Sequence, residues 1–127
     1  MTPPDEITLT IPRDRALYGV AYLVLGGLGI RLNLTIEHLE DLQLALETVL
    51  ERVRADAVTV TFRATDGELE ALVGPINDGV RAELAADEGE AVGLRRILDA
   101  LVDSAELESD GGGDWLKLTK AAGREEA

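Results

Sequence analysis

The sequence predicts an α/β fold of the α+β kind, a two-layer sandwich in which about three helices cover one face of a five-stranded sheet. Three observations carry this expectation. Hydrophobic periods of two and of 3.6 residues succeed one another in the order β, α, α, β, β, α, β, β. Aromatic residues make up only 3% of a chain that is 46% hydrophobic, so the core must be built from Leu, Val, Ile and Ala, which suits helices packed on a sheet. A length of 127 residues is that of one domain able to bury a substantial core.

Residues 6–12 alternate Ile7, Leu9 and Ile11 with Thr8 and Thr10, the period of a strand with one buried face. Arg13 and Asp14 then open a helix carrying Leu17, Tyr18, Val20, Ala21, Val24 and Leu25, and the cluster Gly26-Gly27-Leu28-Gly29 is expected to end it. That helix is apolar nearly all round, so it is either deeply buried or shared with a partner. Thr35 is the expected N-cap of the next helix. His38 at the capping-box position is not the preferred Glu or Gln, so this start rests on Thr35 and an acidic first turn. Ile36, Leu39, Leu42, Leu46, Val49 or Leu50, and Val53 then recur at helical spacing to about Arg54.

Val58, Val60 and Phe62 alternate with Thr59, Thr61 and Arg63, Asp66-Gly67 supplies a hairpin turn, and residues 69–73 return as a strand. The run Gly74-Pro75-Ile76-Asn77-Asp78-Gly79 breaks the pattern. Residues 80–86 read as a short helix before the acidic loop Asp87-Glu88-Gly89-Glu90, and residues 91–103 as the third main helix, with Val92, Leu94, Ile97, Leu98 and Leu101 on its apolar side. Residues 105–108 and 115–119 form a terminal hairpin around a Gly-rich loop. The expected core is about 6–120 within a single domain of residues 1–127, with polar tails at 1–5 and 121–127.

Composition narrows the function classes. Twenty-five acidic residues against 12 basic ones give a formal charge of −13, which repels phosphate backbones and anionic lipid headgroups and so argues against nucleic-acid or membrane partners. The same charge would steer a basic protein surface toward the chain, although acidity is equally a general adaptation. With no cysteine there is no disulfide, thiolate nucleophile or cysteine-ligated metal, and a reducing interior suits the chain. The N-terminal residues lack the basic start and apolar run of a secretory signal. The longest uncharged run, residues 16–30, holds four glycines and is shorter than the roughly 20 apolar residues of a bilayer span. The expectation is a cytoplasmic protein. His38 is the only histidine, so neither a zinc site nor a Ser-His-Asp arrangement can be assembled around it. Trp115, Tyr18 and Tyr22 are expected to pack.

The stretch Leu32-Asn33-Leu34-Thr35-Ile36-Glu37-His38-Leu39-Glu40-Asp41-Leu42-Gln43-Leu44-Ala45-Leu46-Glu47, with the ending Trp115-Leu116-Lys117-Leu118-Thr119-Lys120, resembles the anti-sigma-factor serine kinases of the GHKL ATPase superfamily, whose histidine-kinase-like fold binds ATP. As an outline the resemblance covers roughly residues 6–120. It implies a mixed sheet covered by helices that frame a nucleotide pocket.

What it implies about the site is specific. In those kinases the long helix carries a Glu that acts as base and, four residues on, an Asn that ligates Mg²⁺. Here Glu47 holds the first place and Glu51 the second, a substitution that adds charge beside a triphosphate. Spacing of four puts both carboxylates on one helix face, about 5 to 6 Å apart between Cβ atoms. The alternative reading is a solvated pair whose repulsion Arg54 relieves. Gly74 falls where the family has an Asp that accepts from adenine, with Asp78 a displaced substitute in a turn-like triplet. Of the phosphate-binding Gly-x-Gly at the start of the last long helix only Gly93 matches, behind a lid carrying Glu88 and Glu90. The final Gly-Thr pair is replaced by Gly113-Asp114, while Thr119 persists in Leu118-Thr119-Lys120.

The resemblance therefore implies an anti-sigma-like regulator that binds a sigma factor or an anti-sigma-factor antagonist, forms a homodimer through its first helices, and has weakened or lost ATP binding. The alternative is an active serine kinase that uses ATP and Mg²⁺ with Glu47 as base. A third reading is a small acidic assembly module that shares only the architecture.

Overall fold

In a computed structural model, which describes residues 5–85, 93–110 and 113–121, the helices and strands follow the expected order. Strand β1 (Asp5–Pro12) is followed by a 3₁₀ turn (Arg15–Leu17), α1 (Tyr18–Arg31) and α2 (Ile36–Leu50), then by the hairpin β2 (Ala57–Thr65) and β3 (Glu68–Gly74). Two short helices, α3 (Asp78–Ala85) and α4 (Leu94–Leu101), precede a second hairpin, β4 (Ser104–Asp110) and β5 (Gly113–Ala121). The acidic loop of residues 87–90, with Ala91 and Val92 of the expected third main helix, lies outside the described residues.

The sheet order is β1-β2-β3-β5-β4, and all four pairings are antiparallel rather than mixed. The chain explains why. Two pairings are tight hairpins. The α1–α2 crossover brings the chain back at the end of the sheet it left, so β2 runs antiparallel to β1, whereas α3–α4 carries it to the opposite end, so β4 runs parallel to β3 with β5 inserted antiparallel between them. The β2–β3 turn places both Asp66 (φ 46°) and Gly67 (φ 80°) at positive φ, the hairpin geometry that Asp-Gly favours.

Alternation sorts the strands into two faces. Val58, Val60, Phe62, Leu69, Ala71, Val73, Leu116 and Leu118 are buried on the face covered by helices, where α1 packs on β2, α2 on β3 and β5, and α4 on β4. The other face is open. Hydroxyl pairs run across it between β1 and β2, Thr8 to Thr61 at 3.0 Å and Thr10 to Thr59 at 2.9 Å.

Three local features depart from the sequence reading. The Gly26-Gly27-Leu28-Gly29 cluster lies inside α1 instead of ending it, because Gly29 is where α1 and α2 approach: a Cβ there would come within 2.1 Å of Leu39 Cδ2. The stop comes at Asn33, at φ 63°, where the Leu34 N–H reaches the Gly29 carbonyl at 3.0 Å and the Asn33 N–H reaches Ile30 at 3.1 Å, a Schellman closure. At the start of α2, His38 does close a capping box: its N–H donates to Thr35 Oγ1 at 3.0 Å, and its Nδ1 accepts from the Thr35 N–H at 3.3 Å. Finally, α2 ends at Leu50 rather than near Arg54. The N–H groups of Arg52 and Val53 bond back only three residues, to Val49 and Leu50, which tightens the last turn.

Candidate functional site

The residues singled out for a nucleotide site are distributed over both layers. Glu47, half-buried, and exposed Glu51 do share one face of α2, and that face is turned toward α1. Their charges act on the Tyr22 hydroxyl of α1, whose pKa is pushed up to about 12, first by burial and then by Glu47 and Glu51. Glu51 is held by Arg15, Nη2 to Oε2 at 3.1 Å. Arg54 does not relieve it, because the chain has left helical spacing after Leu50.

Gly74 is a packing glycine. A Cβ at this position would meet Trp115 Cε3 at 2.7 Å and Cδ2 at 2.8 Å, so the indole lies where the family's Asp side chain would begin. Position 74 has the parity of Leu72, opposite to buried Ala71 and Val73, which places the Trp115 contact on the open sheet face. Thr119 has the same relation to Leu118: its side chain is on the face away from the helices, while its carbonyl accepts from the Asp103 N–H at 2.9 Å. Asp78 is the exposed first residue of α3, and Gly93 is the N-cap of α4. Among the described residues no hydrogen bond or ion pair joins Glu47 or Glu51 to Asp78, Gly93 or Thr119. No group of three or more His, Asp or Glu side chains among them is gathered to hold a metal.

The flank of α2 away from α1 is tied together by arginines. Arg52 links α2 to α3 through Glu83 at 3.1 Å while donating to the Thr48 carbonyl at 3.0 Å. Arg81 of α3 pairs with Asp114 of the last hairpin, where the Asp114 carbonyl also accepts from the Ile76 N–H at 3.0 Å. Arg95 of α4 donates to the carbonyls of Ala105 at 2.7 Å and Leu84 at 3.5 Å, joining α4 to β4 and the end of α3. Asn77 Oδ1, just before α3, is the one buried side-chain oxygen without a partner among the described residues.

Two surfaces stand out that the motif search did not use. The first is a cleft of about 410 Å³ lined by Arg13, Arg15, Tyr18, Leu50, Glu51 and Val53, between the β1–α1 connection and the end of α2. Its signal in the sequence was the Arg13-Asp14-Arg15 triplet in a chain poor in basic residues. The second is the outward side of α1, where Val20, Leu23 (79% exposed) and Ile30 (71%) recur at helical spacing; Ile36 and Leu44 of α2 are also exposed. Cβ atoms added at Gly19, Gly26 and Gly27 would meet nothing within 4 Å. The all-round apolarity of α1 thus resolves into one buried face and one bare face. No helix among the described residues is long and apolar enough to cross a membrane.

No family model matches this sequence, and no curated protein matches it. Among solved structures, the chain is similar to the crystal structure of the RsbU and RsbW domains of Rv1364c from Mycobacterium tuberculosis, with a TM-score of 0.65 and 20% identity over 98% of this chain. The likeness is one of fold. The match takes in 34% of that chain, so the present chain spans about a third of its length.

Proposed function

We propose that this chain is a protein-binding regulatory domain of the anti-sigma type, acting in the cytoplasm as a homodimer, that sequesters a sigma factor or engages an anti-sigma-factor antagonist without a nucleotide cycle. The reading is motivated by the resemblance in residues 32–47 and 115–120, by the fold shared with a chain that contains RsbU and RsbW domains, and by the bare face of α1. The observation that carries it is that face: Leu23 and Ile30 are more than two-thirds exposed on a helix without a charge from Tyr18 to Ile30, a surface that needs a protein to cover it. The nucleotide expectations fit poorly with the geometry. The indole over Gly74 and the Arg15–Glu51 pair weigh against nucleotide binding, while Glu47, Gly93 and Thr119 keep the residue types of the resembling site.

The reading is tested by mixing the purified protein with a sigma factor and with an antagonist encoded beside its gene, after nucleotide is removed enzymatically and Mg²⁺ is chelated. A complex of unchanged affinity with and without ATP and Mg²⁺ is expected. Absence of any complex defeats the reading. The serine-kinase reading, favoured only by half-buried Glu47, predicts instead ATP-dependent phosphate transfer to the antagonist, abolished by Glu47→Gln.

A further inference from the structure

Arg13 and Arg15 account for two of only 12 basic residues in the chain, and both line the cleft at the start of α1. Arg13 uses its Nε on the Ala55 carbonyl at 3.0 Å and makes no ion pair among the described residues, so its terminal nitrogens face solvent. Arg15 spends one nitrogen on Glu51, in a pair whose side chains are 78% and 40% exposed. Tyr18, whose ring is largely buried, lines the same cleft, and its hydroxyl is bonded to no protein group among the described residues and stays open to solvent. Two guanidinium groups, one of them without an ion pair among the described residues, thus stand beside a tyrosine hydroxyl in one cleft, a set of donors suited to an anionic acceptor.

From this arrangement we infer that the cleft receives a carboxylate side chain presented by an acidic segment of the protein partner. The inference deepens the partner-binding reading above and rests on it. Glu51 decides the kind of anion. A monoanionic carboxylate can share or replace the Glu51 carboxylate on Arg15, whereas a phosphate dianion would bring a second charge against it. Leu50 and Val53 close the back of the cleft but are themselves almost fully buried, so the arginines are the groups that meet the ligand. With a net charge of −13 the chain repels acidic ligands at long range, so the contact sets specificity at close quarters and draws little on steering.

The test is a nuclear magnetic resonance titration of the whole protein, observing arginine side-chain N–H signals. The probes are a blocked Leu-Asp-Glu-Leu peptide, its neutral counterpart Leu-Asn-Gln-Leu, and inorganic phosphate. Saturable shifts at Arg13 and Arg15 with the acidic peptide alone are expected. Arg15→Gln should weaken binding about two- to fivefold, the scale of an exposed ion pair. Glu51→Gln, which removes the internal competitor, should tighten it by a similar factor, a gain that misfolding cannot imitate. Equal shifts with the neutral peptide, stronger shifts with phosphate, or no tightening in Glu51→Gln would overturn the inference. So would a sigma factor or antagonist that binds Arg13→Gln and Arg15→Gln as it binds the natural protein, and in that case the regulatory reading survives. Conversely, acidic-peptide binding with the expected variant pattern, but no complex with either protein, upholds the cleft and removes the regulatory reading.

Discussion

Replacing Gly74 by Ala gives opposite results in two backgrounds if the Trp115 indole is what fixes this position as glycine. The added Cβ meets two indole carbons at 2.7 and 2.8 Å and the Asp114 carbonyl oxygen at 3.1 Å, and the first two contacts are closer than real Cβ atoms tolerate. Overpacking of this kind costs about 1–3 kcal/mol. Against it stands the gain of about 0.5–1 kcal/mol from replacing glycine in a strand. Gly74→Ala alone should therefore destabilise by about 1–2 kcal/mol. In a Trp115→Ala background the indole is gone and the entropic gain remains, so the same substitution should be neutral or slightly stabilising. Urea unfolding of the four proteins gives a coupling energy of about 2 kcal/mol on this account. Equal destabilisation in both backgrounds would refute the reasoning and make Asp114 or the backbone the constraint. The consequence for function is direct: Gly74→Asp alone does not restore an adenine acceptor, because the indole occupies the space that the carboxylate needs.

Glycines in α1 should separate by location: Gly27→Ala, in open space, should raise stability by about 0.5–1 kcal/mol, whereas Gly29→Ala, with Leu39 Cδ2 in its way, should lower it by about 1–2 kcal/mol, both read by urea midpoint. Leu23→Asp, at a side chain 79% exposed, should change stability by no more than about 0.5 kcal/mol and, on the homodimer proposed above, shift sedimentation toward monomer; unchanged sedimentation would defeat that dimer face. Tyr22 ionises at about 12 in the folded chain against 10.0 for the free group, so below pH 10 its contribution is constant. Between those values the unfolded chain sheds a proton that the folded chain keeps, and stability must fall as pH rises. Glu47→Gln should narrow that window, as seen in urea midpoints measured across it.

Much of the fold was legible because its signals are local. The Thr–Ile alternation of β1, the Asp66-Gly67 turn and the Leu–Val spacing of α2 each state a period or a turn chemistry within a few residues. What escaped depends on contacts across the chain. Gly29 breaks a helix in isolation but serves as the floor for Leu39, and nothing within α1 announces that partner. Asn33 ends α1 through a left-handed conformation that glycine more often supplies. His38 replaces the usual Glu in the capping box through a ring nitrogen that composition rules overlook. At the site, the spacing of Glu47 and Glu51 correctly placed them on one face of α2. Which face was invisible, since it depends on Arg15 arriving from the 3₁₀ turn and Tyr22 from α1. Gly74 was placed by its strand and Thr119 by the Leu118-Thr119-Lys120 triplet, yet pleat parity puts both on the open face, opposite the helices.

Calorimetric titration with ATP and with ADP, each with and without Mg²⁺, tests the central claim most directly. The geometry around Gly74, Glu51 and Arg52 predicts no saturable heat for the folded protein under any of the four conditions. Saturable, magnesium-dependent binding that Glu51→Gln abolishes would contradict the account, make Glu51 a metal ligand, and return the chain to the nucleotide-driven kinases it resembles.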